Sequence, residues 1–177
     1  MHVSKFELLT KHIETFESDN FGEWFIDKEN DGSPEHPIQM PYVMYTRAID
    51  DFIEDVHRFV DQHKEMRLTN YHGVLEERGI DIGEAKRADI ENIDAIGLCA
   101  LIVANVRAER FCDGAILSSC KDGTLLKWLN KLRSFDEKKP LDEVIKRIED
   151  SKKSSTSTSS NSKPQRILEK SKISDGR

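Results

Sequence analysis

The sequence predicts an all-α fold, a single compact domain of about seven helices, several of them short. Apolar residues recur at spacings of three and four along most of the chain, which is the period of an amphipathic helix. Glycines and prolines punctuate the segments between these runs. The longest apolar run, "IDAIGLCALIVANV", is typical of a buried helix. With 177 residues, the chain is long enough for one folded domain, which we assign to residues 1–150.

The predicted helices follow from the apolar stripes. The first covers residues 3–17, where Phe6, Leu9, Ile13 and Phe16 share one face. The others cover residues 46–65, 70–78, 90–110, 113–123, 124–133 and 141–150.

Polar residues and glycines predict where several of these helices begin and end. Thr46, Asp89 and Asp113 are expected at N-caps, where a side-chain oxygen can accept a free backbone N–H. Gly79 and Gly123 are expected just past helix ends.

The segment between the first two helices contains the least regular sequence. "EWFI" is compatible with a short strand or a helical turn, and "ENDGSP" predicts a turn. Three prolines in "SPEHPIQMPYVMY" force an extended path. We interpret this extended segment as a strap lying across the core, and the alternative is a lip over a pocket.

Charge divides the chain into two parts. Residues 151–177 contain seven Lys and Arg residues and two acids, so this part carries +5. The whole chain carries −6, so residues 1–150 carry −11. The Ser/Thr-rich segment from residue 151 has almost nothing apolar to bury and is predicted to be a disordered tail. An acidic body repels phosphates, which argues against nucleic-acid binding by the folded domain and leaves only weak contact by the tail.

The sequence shows no recognisable membrane span or signal peptide, and with its cysteine usage this predicts a cytoplasmic protein. No apolar run approaches the roughly 20 residues of a membrane span, so no membrane association is expected. Charged residues interrupt the N-terminal segment, which therefore does not resemble a signal peptide. The spacing of Cys99, Cys112 and Cys120 fits no zinc or thioredoxin pattern, so we expect reduced thiols.

The densest polar cluster is the stretch "NVRAERFCDG". Arg107, Glu109, Arg110 and Asp113 crowd the end of the long apolar helix. One interpretation is a charged corner between two helices, because an arginine near an apolar stripe needs a partner. The other is a polar recognition patch, in which the two arginines bind an anion or an acidic peptide.

A second cluster suggests metal chemistry as an alternative. Asp51 and Glu54 lie three apart on one predicted helix, and Glu91 and Asp94 repeat that spacing further along. All-α nucleotide pyrophosphatases use acidic pairs on two helices to hold Mg²⁺ against phosphates. Acids are also common at solvated helix starts, so this is the less favoured alternative.

The chain resembles a family of small prokaryotic proteins catalogued as a domain of unknown function. The resemblance rests on an apolar helix that leads into R-x-[DE]-R-F-x-[DE]-G, followed by a short helix and a Leu-rich helix. This chain matches that pattern with Arg107, Glu109, Arg110, Phe111, Asp113 and Gly114. The resemblance covers roughly residues 20–135 and implies a helical architecture, but no activity.

The sequence contains no complete catalytic set, because it lacks a P-loop, a paired-histidine zinc motif and an identifiable His partner for a cysteine. We therefore expect a binding or interaction module with a protein partner, without a cofactor, rather than an enzyme. The alternatives are a Mg²⁺-dependent nucleotide phosphohydrolase and a nucleic-acid-associated factor that uses the basic tail.

Overall fold

The computed structural model describes residues 4–85 and 90–137. Within them it contains the helices α1 (Glu7–Thr10), α2 (Ile13–Phe16), α3 (Arg47–Gln62), α4 (Tyr71–Glu76), α5 (Ile82–Ala85), α6 (Ala95–Ala108) and α7 (Ala115–Lys121), and the strands β1 (Gly22–Phe25) and β2 (Tyr42–Tyr45). Another helix, α8, begins at residue 124 and continues through residue 137. Short 3₁₀ turns occupy Lys64–Met66, Leu68–Asn70 and Ile90–Asn92. This architecture confirms the all-α prediction. The helix predicted at 141–150, the tail at 151–177 and the domain boundary between them lie outside the described residues.

The N-terminal segment forms two single-turn helices where the apolar pattern predicts one. Its stripe of Phe6, Leu9, Ile13 and Phe16 is buried as expected. The break falls at residues 11–12, a tertiary feature that helical periodicity does not reveal. Helices of four residues are not stable alone, so packing and hydrogen bonds to distant groups must hold them.

The centre of the domain is α6, which is buried without interruption from Gly97 to Val106. Helices α3, α4 and α7 pack around it. The predicted start at residue 90 is wrong, because residues 90–92 form a separate 3₁₀ turn. Asp94 supplies the N-cap, and its carboxylate accepts the N–H of Gly97 at 2.7 Å.

Helix α3 is amphipathic and buries Ile49, Phe52, Val56 and Phe59 against the core. It covers most of the predicted range of 46–65. Its charged face is exposed, and the acids in its first turns lie where the helix dipole stabilises negative charge.

Residues 22–45 form a hairpin arm, in which β1 and β2 pair antiparallel with Gly22 opposite Tyr45 and Phe25 opposite Tyr42. "EWFI" therefore contributes to a strand. The interpretation of residues 33–45 as a strap across the core is wrong, because most of the segment is solvent-exposed. Met40, for example, is 78% exposed. The prolines do enforce an irregular path, but that path leads away from the core.

Candidate functional site

The turn between α6 and α7, residues 109–114, is organised by Glu109. This residue ends α6, and its carboxylate reaches forward over the turn. It accepts the N–H of Gly114 at 2.7 Å and the N–H of Ile116 at 2.8 Å. These are backbone donors at the start of α7, which have no partner within that helix. Glu109 thus replaces Asp113, the predicted cap, because Gly114 rather than Asp113 occupies the N-cap position of α7.

The same carboxylate connects the turn to the hairpin arm. The Tyr45 hydroxyl at the end of β2 interacts with the Glu109 carboxylate. It accepts a hydrogen bond from the N–H of Leu117 at 3.3 Å. Burial, together with the interaction with Glu109, raises the pKa of Tyr45 above its ordinary value, so the hydroxyl stays protonated. Glu109 therefore fastens α6, α7 and β2 at one point.

Gly114 makes a second contact between the turn and the hairpin arm. Its φ of +83° lies in the left-handed region, which favours glycine. A Cβ at this position would lie 2.5 Å from Cζ2 of Trp24, so the indole ring packs directly on the glycine backbone. Any other residue at position 114 would have a strained backbone and a Cβ that clashes with Trp24. The turn therefore allows Trp24 of β1 to pack directly against its backbone.

Arg107 has partners on the opposite side of α6. Its guanidinium donates to the carbonyl of Thr69 at 3.2 Å. It also lies over the ring of Tyr71, 5.4 Å from the centroid, where a cation is attracted by the ring face. The side chain is partly buried and links α6 to α4. This geometry matches the structural interpretation of Arg107 more closely than the anion-binding one.

Four side chains of the turn face solvent. Arg110, Cys112 and Asp113 are exposed. Phe111 is 89% exposed, the largest value among the large apolar side chains of the described residues. The polar cluster predicted from sequence therefore separates into two groups. Arg107 and Glu109 make contacts within the fold, while Arg110 and Asp113 flank an exposed phenylalanine.

Exposed apolar side chains are concentrated on the hairpin arm, which contacts this turn through Trp24. Seven large apolar residues are exposed in the described part of the chain, and five of them belong to the hairpin arm. The five are Trp24, Ile26, Ile38, Met40 and Met44. Phe111 is the sixth, and Ile82 on α5 is the seventh. We name the first six residues the hairpin surface.

The loop of the hairpin arm is folded around Asp27. Its carboxylate accepts the backbone N–H groups of Glu29, Asn30 and Gln39 at 3.0, 3.2 and 2.9 Å. These hydrogen bonds, with that to Gln39 foremost, hold the pKa of Asp27 well below its usual range. Since Gln39 lies 12 residues away, Asp27 closes the loop and fixes the backbone that presents Ile38 and Met40.

The hairpin arm is acidic as well as apolar. Between residues 22 and 45 the chain has five acids and one lysine, a net charge of −4 with histidine neutral. The acids are Glu23, Asp27, Glu29, Asp31 and Glu35. All except the partly exposed Asp27 are exposed, so the arm presents its negative charge to solvent.

The acids of the metal alternative are engaged elsewhere or face solvent. Asp94 caps α6 and pairs with Arg78 at 2.9 Å, Glu91 pairs with Lys131, and Asp51 pairs with Arg47. Glu54 is exposed on α3. Within residues 4–85 and 90–137, no group of three or more His, Cys, Asp or Glu side chains is arranged to hold a metal ion. The geometry therefore gives the Mg²⁺ hypothesis no support.

Sequence reasoning missed a buried ion-pair centre around Asp55. This residue is only 4% exposed and contacts Nε2 of His12 at 2.9 Å, Nζ of Lys11 at 2.6 Å and Nη1 of Arg58 at 2.6 Å. Burial by itself raises the pKa of Asp55, but the hydrogen bonds from Lys11 and His12 and the nearby positive charges hold it below its ordinary value. The sequence did contain a sign of this buried acid, because Asp55 lies between Phe52 and Phe59 on the apolar stripe of α3. The partners on the N-terminal segment could not be read from sequence.

A cleft of about 500 Å³ lies between α4 and α5. It is lined by His72, Leu75, Glu76, Ile80 and Ile82, among others. Leu75 is the only buried side chain among its lining residues. Ligand sites usually contain a few fixed polar groups in an enclosed apolar pocket. This cleft offers no buried polar group, so it is a weaker candidate than the hairpin surface.

These features define a helical domain with an exposed apolar hairpin arm fastened to a glutamate–glycine turn. The chain belongs to a family of unknown function, DUF6508, whose model matches residues 1–138. This confirms the resemblance to a domain-of-unknown-function family and extends the match to the N-terminal helices. No curated protein and no solved structure matches the chain. Among the described residues, no helix is both long enough and apolar enough to cross a membrane.

Proposed function

We propose that this protein is a binding module that recognises another protein through the hairpin surface. The observation behind the proposal is the distribution of exposed apolar side chains. Six of the seven in the described residues belong to the hairpin arm or to the adjoining turn. Scattered single apolar residues are normal on a protein surface, whereas a concentration of them is typical of an interaction site.

The way the arm is built supports the proposal. Asp27 closes the loop by accepting three backbone N–H groups, and Tyr45 and Trp24 anchor the strands on Glu109 and Gly114. These contacts fix the backbone while leaving Ile26, Ile38, Met40 and Met44 exposed. A preorganised surface loses less conformational entropy on binding than a flexible one.

The energetics are favourable for a partner that covers this surface. Burying one large apolar side chain contributes about 1.5–3 kcal/mol. Met40 and Phe111 are almost completely exposed, so nearly all of that contribution is available at each of them. Aromatic and methionine side chains are also the residues enriched at the centres of protein interfaces. Phe111 and Met40 are therefore the expected anchors.

We further propose that the protein works in the cytoplasm. Cys99, Cys112 and Cys120 are all free, and Cys112 is exposed. A free exposed thiol is more compatible with a reducing compartment than with an oxidising one.

The test is a comparison of cross-linked partners in extracts of the native host. We would use the full chain, the double variant Ile26→Ser/Met40→Ser and the control Ile82→Ser, which removes an exposed apolar side chain outside the hairpin surface. We expect a set of proteins that the wild type and Ile82→Ser capture and that the double variant loses. If all three chains capture the same proteins at the same yield, the proposal is wrong.

A further inference from the structure

We infer that the hairpin surface binds an extended segment of another protein, rich in lysine or arginine and in apolar residues, which adds as a strand to a free edge of the β1–β2 sheet. This inference rests on the proposed function and specifies the chemical class of the partner and its mode of binding. Three features of the hairpin arm support it: open strand edges, an outer face with apolar and aromatic side chains, and a negative net charge.

The sheet has two strands, and no further strand pairs with either of them in the described residues. The N–H of Thr46 donates to the carbonyl of Phe21 at 3.2 Å, which continues the ladder one position beyond the Gly22–Tyr45 pair. Hydrogen-bonded and non-bonded pairs alternate in an antiparallel ladder. The backbone groups directed to the outer edges therefore belong to Gly22, Trp24, Val43 and Tyr45. Such unpaired edges are templates for an added strand.

The face of the sheet that points away from the domain carries one glutamate and three apolar or aromatic side chains. Residues directly opposite one another share a face, so Glu23 with Met44 and Phe25 with Tyr42 lie on the face opposite to Trp24 and Tyr45. The rings of Phe25 and Tyr42 are 5.0 Å apart. An added strand would place every second side chain beside these groups, which favours a partner with alternating apolar residues.

Charge distinguishes between the candidate occupants. The hairpin arm carries −4, so a positively charged segment is attracted and its approach is accelerated. A second copy of this chain would bring −4 against −4 at a two-fold interface, and nucleic acid would bring phosphates. A basic segment that also carries apolar residues is the class of occupant that satisfies both the apolar and the acidic character of the arm.

The experiment is a selection of random peptides of about 10 residues, the length of a long strand, displayed on phage against the immobilised full-length chain. We expect enriched peptides in which lysine or arginine alternates with apolar residues. A synthetic enriched peptide should bind about tenfold more weakly when alternate backbone amides are N-methylated, since methylation removes the donors that a strand needs while keeping the side chains.

Two charge-matched variants test the negative charge of the hairpin arm. Glu29→Lys/Glu35→Lys reverses two charges of the hairpin arm, and we expect the selected peptide to bind it about tenfold more weakly. Glu14→Lys/Glu17→Lys makes the same change in net charge at exposed positions at α2, and we expect an effect within about twofold. Thermal unfolding of both variants would establish that they remain folded.

Several results would overturn the inference. A consensus without basic residues, equal binding of the N-methylated peptide, or equal weakening by both charge variants would each contradict the proposed partner chemistry or binding mode. A selection that yields no enrichment would do the same. A dimer in sedimentation equilibrium that the Ile26→Ser/Met40→Ser variant abolishes would identify a second copy as the occupant. Each of these results is compatible with differential capture in the cross-linking experiment, so the inference can fail while the proposed function stands.

Discussion

Two carboxylates, Glu109 and Asp55, each fasten distant segments of the chain to a helix, but their surroundings differ. Glu109 is partly exposed, and its partners are neutral backbone N–H groups and the hydroxyl of Tyr45. Asp55 is buried, and its partners are the positive groups of Lys11 and Arg58 and the ring of His12. Glu109 lies beside the exposed hairpin surface, whereas Asp55 supports the packing of the N-terminal segment on α3. The comparison indicates that the polar cluster evident in sequence supports the exposed hairpin surface, while the less conspicuous acid stabilises the packing of the N-terminal segment.

The largest effect is expected from Asp55→Asn. The amide removes the negative charge that compensates Lys11 and Arg58 and leaves the buried His12 with a weaker partner. We expect the free energy of unfolding to fall by about 3 kcal/mol, as for other broken buried ion pairs. Urea denaturation followed by circular dichroism would measure the change. The control is Asp51→Asn, which breaks an exposed pair on the same helix and should cost less than about 0.5 kcal/mol. An equal loss in the free energy of unfolding for the two variants would show that Asp55 stabilises the fold no more than an exposed ion pair does.

Acid should remove part of the contribution of Asp55. Its pKa in the folded protein lies below the ordinary value of 3.8, so the folded state binds fewer protons there than the unfolded state. The stabilisation is therefore complete above that ordinary value and is lost as the pH falls through the folded pKa. We expect the stability difference between wild type and Asp55→Asn to shrink in denaturation series carried below about pH 4. A difference that stays constant to the lowest pH would contradict this assignment.

Gly114→Ala tests the contact between the turn and the hairpin arm. The substitution requires a left-handed backbone and places Cβ against Trp24, so we expect a loss of about 2 kcal/mol. Gly79 offers a matched control, because its φ is +63° and nothing lies within 4 Å of the position that a Cβ would take. Gly79→Ala should cost only the backbone term, about 1 kcal/mol. Thermal unfolding of both variants separates the cost of the left-handed backbone, which both share, from the cost of the contact with Trp24. The fluorescence of Trp24 should change only in Gly114→Ala.

Glu109→Gln should have a smaller effect on stability. The amide oxygen can still accept one backbone N–H, but the second acceptor is lost, so we expect a cost of about 1.5 kcal/mol. Asp113→Asn, at the predicted cap that the structure leaves exposed, should change stability by less than about 0.5 kcal/mol. A larger cost for Asp113→Asn than for Glu109→Gln would reverse the assignment of the cap. Chemical denaturation of the two variants side by side makes this comparison.

The smallest effect is expected from Arg107→Ala. A fully buried paired arginine would cost about 3–5 kcal/mol, and an exposed ligand contact less than about 0.5 kcal/mol. Arg107 is intermediate, since it is partly buried and bonds to one carbonyl and one ring face. We expect about 1 kcal/mol by thermal unfolding. Arg110→Ala, at an exposed neighbour, serves as the control and should be close to neutral.

The positions of several elements were predictable because they depend on local rules. The stripe of α3 and the continuous apolar run of α6 predict their helices from spacing alone. The break in the first helix was not predictable, because it coincides with contacts from residues 11 and 12 to Asp55, which is more than 40 residues away. The direction of the segment 33–45 was not predictable for a related reason. Apolar composition predicted burial, but Asp27 closes a loop that holds those side chains outside.

The candidate site could be located only in part from its sequence. The density of charge at residues 107–113 indicates an unusual corner, and Phe111 belongs to the motif there. Which residues of this corner make contacts within the fold, and which stay exposed, depends on the side chains that distant segments bring to it. Tyr45 and Trp24 come from the hairpin arm, and Thr69 and Tyr71 come from the 3₁₀ turn before α4 and from the start of α4.

The sequence by itself determined the helical class of this protein, the course of its central helices and the acidic charge of its body. These properties follow from period, composition and charge, which act on neighbouring residues or add over the chain. Tertiary structure alone decided that Glu109 caps α7, that Asp55 is enclosed by three partners and that the hairpin arm exposes its apolar residues. Each of these outcomes depends on side chains that tertiary folding brings together from distant segments. Local sequence patterns carry no information about which distant groups will be in contact.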